Sequence, residues 1–244
     1  MSLRKPLTQE DILYEDNHLI VVNKAPGEIV QGDKTGDQPL SDKLKVFIKE
    51  KYNKPGNVFC GVIHRIDRPV SGALVMAKTS KGLARMNQLV KERQMKKVYW
   101  AVVKGEPEQP GGRLLHYLKK DQKKNKSFAV DENTKAALKA ELIYRFVAAS
   151  NNYNLLEIEL ITGRHHQIRA QLAAIGCPVK GDVKYGFKRL NKDGSMIHLH
   201  ARSLEFVHPI KQSNVKVIAP PPSDKLWEIF EDLIKGIEPA NEDL

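Results

Sequence analysis

Ile63-His64-Arg65-Ile66-Asp67-Arg68-Pro69-Val70-Ser71-Gly72 is the stretch around which the rest of the chain is organised. One carboxylate, Asp67, sits among the cationic or cation-capable side chains of His64, Arg65 and Arg68. Pro69 fixes its own φ and biases Arg68 towards extended backbone, while Gly72 permits a tight approach or a sharp turn. Directly afterwards comes Ala73-Leu74-Val75-Met76-Ala77, an unbroken apolar run that reads as a buried strand. The pattern holds an acid on a stiff loop at the lip of the core, in a positive neighbourhood that favours the ionised form. A carboxylate nucleophile needs that condition. For an isolated loop aspartate, the ordinary reading is a turn cap paired with an arginine.

Composition narrows the setting. A chain of 244 residues can bury a sizeable core. The opening Met1-Ser2-Leu3-Arg4-Lys5-Pro6 has no apolar run of the signal-peptide kind, and no apolar stretch reaches membrane-span length. There are two cysteines, Cys60 and Cys177, without CxxC spacing. This argues against a disulfide framework or a cysteine-rich zinc site and points to a reducing cytoplasm. The net charge of +11 is concentrated: Lys78 to Lys126 holds fourteen Lys/Arg against four Asp/Glu, an excess of ten. A basic stretch of this kind next to the Asp67 loop suggests a polyanionic partner rather than a merely solvated lysine surface.

Along the chain, residues 11–23 read as two short strands about a turn at Glu15-Asp16-Asn17, stopped by Lys24-Ala25-Pro26-Gly27. Leu40, Leu44, Phe47 and Ile48 predict a helix over 41–52, and Thr79-Ser80 caps a second that ends near Arg93, with Leu83, Met86 and Val90 on its apolar face. Strands are expected over 96–105 and 114–118, the latter followed by an exposed lysine-rich tip over 119–126. Residues 134–149 and 153–161 form a hairpin about Ser150-Asn151-Asn152. Thr162-Gly163-Arg164-His165-His166-Gln167-Ile168-Arg169 opens a helix over 165–175 whose buried stripe is Ile168, Leu172 and Ile175. Strands over 204–207 and 215–219 precede a last helix over 223–234, with Leu226, Trp227, Phe230 and Leu233 inward. His198 and His200 share a strand face at a spacing compatible with metal binding, but no acid or cysteine lies at a matching local spacing.

The string His64 to Gly72, with its apolar strand and Lys78, resembles the signature of the RluA-type RNA pseudouridine synthases. Val70 stands where the usual residue is Thr, removing a hydroxyl, and Ile66 replaces a Leu of equal volume. Lys97-Val98-Tyr99-Trp100-Ala101 follows the family's Lys-x-Tyr-x-Ala pattern, and Gly163 to Arg169 followed by Gly176-Cys177-Pro178-Val179-Lys180-Gly181-Asp182 resembles it again, as does Leu199-His200-Ala201 in a metal-free enzyme. The resemblance implies an α+β fold with a mixed, mainly antiparallel sheet flanked by helices, as one catalytic domain over 10–236 with flexible tails over 1–9 and 237–244. It makes Asp67 the catalytic residue, Arg169 the partner that holds it, and Tyr99 the ring that lines the uracil. Arg65 fills the stack vacated by a flipped base, and RNA contacts are expected from Arg65, Arg68, Lys96, Lys97, Lys119, Lys120, Lys123, Lys124 and Arg164. The implied protein is a cytoplasmic monomer acting on rRNA or tRNA, with no cofactor, metal or membrane partner. Two rivals are a non-catalytic RNA-binding protein on the same scaffold and a histidine-based metal hydrolase.

Overall fold

The computed structural model describes residues 6–33, 35–191 and 194–237. In chain order its regular elements are β1 (Ile12–Glu15), β2 (Leu19–Lys24), α1 (Leu40–Lys51), β3 (Gly61–Val62), β4 (Ser71–Ala77), α2 (Ser80–Lys91), β5 (Lys96–Val103), β6 (Gly111–Asp121), β7 (Lys126–Val130), β8 (Leu138–Ala149), β9 (Asn154–Leu160), α3 (Gln167–Ala174), β10 (Leu199–Val207), β11 (Asn214–Ile218) and α4 (Lys225–Ile237). They fall into two compact units, Met1–Lys97 with Ala201–Pro220 and Val98–His200 with Pro221–Leu244. Each unit draws on two separate stretches of chain, so no linker composition marks a boundary. Both combine antiparallel strand pairs with packed helices, an α+β fold.

In the first unit β2 lies between β1 and β4, β4 is also bordered by β3, and β10 carries β11. All seven residues of β4 are buried, which is why its sequence runs apolar without alternation. α2 covers one face with Met86 and the flanking Leu83 and Val90, against Val21, Val75, Leu204 and Phe206. Its N-cap is the expected one: Gly82 N–H donates to Thr79 Oγ1 at 3.1 Å. On α1, Leu40, Leu44 and Ile48 repeat every four residues and are fully buried.

Gly72 opens β4 at φ +114°, and a Cβ placed there would lie 2.3 Å from the carbonyl oxygen of Ala201. Backbone cannot retreat as a flexible side chain can, and the φ is one that L-residues avoid. Gly72→Ala is therefore expected to leave the protein largely insoluble or to lower its melting temperature by more than about 10 °C, the response to a loss of several kcal/mol. A thermal melt of the soluble fraction checks this, and a wild-type melt would refute it.

The strands of the second unit run in the order β5-β9-β8-β6-β7. The β8–β9 hairpin turns where expected, with Ser150 N–H donating to the Tyr153 carbonyl at 2.8 Å. α4 packs Trp227 and Phe230, both fully buried, on Trp100, Val102, Ala148 and Leu155. The inward stripe then continues through Ile234, while Leu233 is 36% exposed, a correction to the sequence expectation. Positions 227, 230 and 234 share one helix face, and 233 turns away from it.

β6 is longer than expected, so Lys119 and Lys120 lie within a strand opposite Phe128 and Ser127 of β7. α3 begins two residues later than expected because His166 takes a left-handed φ of 52°. The expected strand at 204–207 starts already at Leu199. Of the expected N-terminal tail over 1–9, residues 1–5 lie outside the described residues, as does the chain beyond 237. Thr8 N–H, however, donates to Asp11 Oδ2 at 2.8 Å at the start of a short 3-10 turn over Gln9–Asp11, so regular structure begins earlier than expected.

Candidate active site

Asp67 begins a four-residue turn closed by Val70 N–H donating to the Asp67 carbonyl at 3.0 Å. Ile63, Ile66 and Val70 are buried on either side of it, whereas Arg65 is exposed and Asp67 and Arg68 are half-buried. Alternation of buried isoleucines with polar residues thus anchors the loop and leaves its acid and Arg68 half-buried and Arg65 exposed. Val70, at 2% exposure, accounts for an apolar residue where a threonine is usual: its methyls fill a buried position with no hydroxyl to satisfy.

The turn is clamped from below by a residue that the sequence reading did not single out. Lys24, 1% exposed, donates from Nζ to the carbonyls of Ala25 (2.9 Å), Glu28 (3.0 Å) and Arg68 (3.2 Å). Gly27 N–H adds a second bond to the Arg68 carbonyl at 2.7 Å. Glu28 is itself fixed by a buried ion pair with Lys43 at 2.6 Å. A lysine taken out of water is tolerated only when its donors are used, and here they lock the Asp67 turn to the 25–28 turn. Arg68, expected to contact RNA, pairs with Asp37.

His64 holds the other side. β3 borders β4 only at Ala77 and Met76, and at the next position His64 Nε2 accepts the Val75 N–H at 3.2 Å. The imidazole completes the ladder that the short strand leaves unfinished, which requires a neutral ring. Burial, aided by the charge of Lys97, pushes its pKa down to about 3. The unfolded chain, at the ordinary 6.5, therefore holds more protons between those limits, and stability must fall as pH falls through that window. Urea midpoints measured from pH 7 to pH 4 should drop, and His64→Gln, which keeps an acceptor but cannot titrate, should flatten the drop. An unchanged slope in the variant would remove His64 from the account.

Arg169 is in the second unit, 5% exposed on α3. Its Nε donates to Asp182 Oδ2 at 2.6 Å and its Nη2 to Asp182 Oδ1 at 2.9 Å, a two-point carboxylate contact. Tyr185 lies against it, the guanidinium carbon 5.0 Å from the ring centre. The Tyr185 hydroxyl accepts Ser127 N–H at 2.8 Å and bonds His166 Nδ1 at 3.0 Å. His165 stacks on His166 at 3.8 Å and bonds Ser127 Oγ (2.9 Å) and Asn125 Oδ1 (3.1 Å).

The lysine-rich tip is therefore docked on the Arg164–Arg169 motif rather than waving in solvent. Lys119, Lys120, Lys123 and Lys124 are exposed, with the Lys124 ammonium 6.0 Å from the centre of the Phe128 ring, and exposed ammonium groups of this kind can meet phosphate. Arg164 is half-buried, donating from Nε to the Lys139 carbonyl at 2.9 Å. Tyr99 is 6% exposed on β5, opposite Ile158. Lys96 is exposed and Lys97 half-buried at the start of the same strand.

His198 is buried between Asn191, whose Nδ2 lies 3.1 Å from Nδ1, and Asp224, whose Oδ1 lies 2.9 Å from Nε2. It stacks on Trp227 at 5.4 Å, with His200 on the same indole at 6.0 Å. The acid partner comes from 26 residues downstream, beyond the reach of local spacing. Among the described residues no group of three or more His, Cys, Asp or Glu is placed to hold a metal ion.

Residues 18–174 match the family model described as RNA pseudouridylate synthase. YlyB of Bacillus subtilis, described as an uncharacterized RNA pseudouridine synthase, is 36% identical over 231 residues, which cover 93% of this chain and 73% of that protein. Ribosomal large subunit pseudouridine synthase C of Buchnera aphidicola is 30% identical over 234 residues, covering 93% and 70%. The chain belongs to the RNA pseudouridine synthases, isomerases whose partner is RNA. It spans 65–73% of the length of such curated relatives. The fold agrees: a human protein titled RNA Pseudouridylate Synthase Domain Containing 4 superposes with a TM-score of 0.73 at 23% identity, covering 93% of both chains.

Proposed function

We propose that this chain isomerises chosen uridines of rRNA or tRNA to pseudouridine, with Asp67 as the catalytic carboxylate and Tyr99 and Arg169 as the further catalytic residues. The observation that carries this reading is the Asp67 loop, pinned by Lys24, His64 and three buried apolar residues so that one acid is presented on rigid backbone. The reaction breaks the bond between ribose C1′ and uracil N1 and forms one between C1′ and C5. The C5 proton leaves and N1 gains one, so no redox partner is consumed. A stacked uridine exposes neither atom, so it must be flipped out at a cost of about a few kcal/mol. Arg65, exposed two residues before Asp67, fills the gap. Whether Asp67 attacks C1′ or C6, or promotes a glycal, each route uses its anion.

The ribosomal names of several relatives favour large-subunit rRNA as substrate. Buried free thiols at Cys60 and Cys177 suit a reducing cytoplasm, and we take the enzyme to act there as a monomer. The test is tritium release from RNA labelled at C5 of uridine, with carbodiimide mapping of pseudouridines in cells with and without the gene. No release from cellular rRNA or tRNA by the wild-type protein would overturn the enzyme reading in favour of an RNA-binding one.

A further inference from the structure

Beside the Asp67 loop, wholly within the first unit, lies a cavity of about 700 Å³. Its walls come from three places: Gln31 and Gly32 before α1, Ser41, Asp42 and Lys45 on the first turns of α1, and Cys60 with Val62 to Arg65 leading into the catalytic turn. The volume falls in the roughly 300–1,000 Å³ range of small-ligand sites. Its chemistry mixes apolar wall (Val62, Ile63) with hydroxyl, amide, carboxylate and ammonium groups, polar groups that can bond the edge of a splayed base and its phosphate. The ammonium of Lys45 is set by Asp42 at 2.8 Å, and both side chains are nearly half exposed.

Arg65 is the other cation at this cavity. Neighbouring cations are matched, Arg68 to Asp37 and Lys43 to Glu28. Among the described residues no carboxylate pairs with Arg65. Two residues of extended chain span at most about 7 Å, so a nucleotide flanking a uridine held at Asp67 is within reach of Arg65 and the cavity mouth.

We propose that this cavity is a binding site for a second nucleotide of the substrate RNA, one flanking the target uridine. Lys45 takes its phosphate, Gln31 and Ser41 meet its base or sugar, and Arg65, inserted in the vacated stack, borders the site. The inference rests on the reading of the chain as an RNA-modifying enzyme and adds a place where sequence next to the target is sampled.

The experiment uses a substrate RNA carrying 4-thiouridine at single positions on either side of the target, irradiated with the full-length protein and digested for peptide mapping. Gln31→Trp, which plugs the mouth from an exposed position, and Lys45→Glu are compared with wild type in steady-state kinetics. Crosslinks from one flanking position to peptides containing 31–45 or 60–65 are expected, with KM raised about tenfold in each variant and kcat changed less than threefold. If pseudouridine forms but crosslinks map elsewhere, or KM is unmoved in both variants, the site falls. If crosslinks and weakened binding appear without pseudouridine formation, the site stands and the catalytic reading falls.

Discussion

The Asp67→Asn protein is expected to release no measurable tritium from C5-labelled uridine in RNA, a loss on the order of 10³-fold or more in kcat. The amide preserves shape and removes the negative oxygen that every route of the proposed reaction would use. The turn around it is held by backbone bonds to Val70, Gly27 and Lys24 and by the burial of Ile66 and Val70, none of which involve the Asp67 carboxylate. Circular dichroism and RNA binding should therefore match wild type. A variant that folds, binds RNA and still makes pseudouridine would remove Asp67 from the chemistry.

Asp182→Ala should have the second largest effect. It strips the two-point partner from Arg169, leaving a guanidinium at 5% exposure where water cannot replace the lost acceptors. Breaking a buried pair from one side costs about 3–5 kcal/mol, read as a melting temperature roughly 10 °C lower in a chain of this size. Asp182→Asn, which keeps one acceptor oxygen, should fold better and separate structure from function. If Arg169 must be aimed for catalysis, that milder variant loses kcat by more than tenfold with KM little changed. Equal melting temperatures for wild type and Asp182→Ala would show that the pair contributes nothing to stability.

Much of this was legible in the residues. The unbroken apolar run 73–77 is a buried strand, the four-residue spacing of Leu40, Leu44 and Ile48 gives α1, and Thr79 caps α2 as its hydroxyl suggests. What escaped was set by distance along the chain. β7 begins with a lysine and looks like part of a charged loop. It becomes a strand because Ser127 and Phe128 face Lys120 and Lys119, and Tyr185, 58 residues on, accepts the Ser127 N–H. The helix start at Gln167 was displaced by His165 and His166, whose stacked rings serve the hairpin instead of continuing a helix. At the site the acid and its loop were readable, because motif and chain neighbours coincide. The supports were not. Lys24 reaches Arg68 over 44 residues, and Asp182 meets Arg169 from the far side of a loop, contacts for which no periodicity exists.

That each compact unit is stitched from two distant stretches bears on how the protein is made. The first lacks β10 and β11 until Pro220 has been translated, and the second waits on α4 to bury Trp100 and Val102. A nascent chain emerging from the ribosome would thus carry β2 and β4, rich in valine and leucine, without their finishing partners for most of synthesis. Such a chain should lean on holdase chaperones, and a stop codon placed shortly before residue 200 should yield aggregate rather than a folded half.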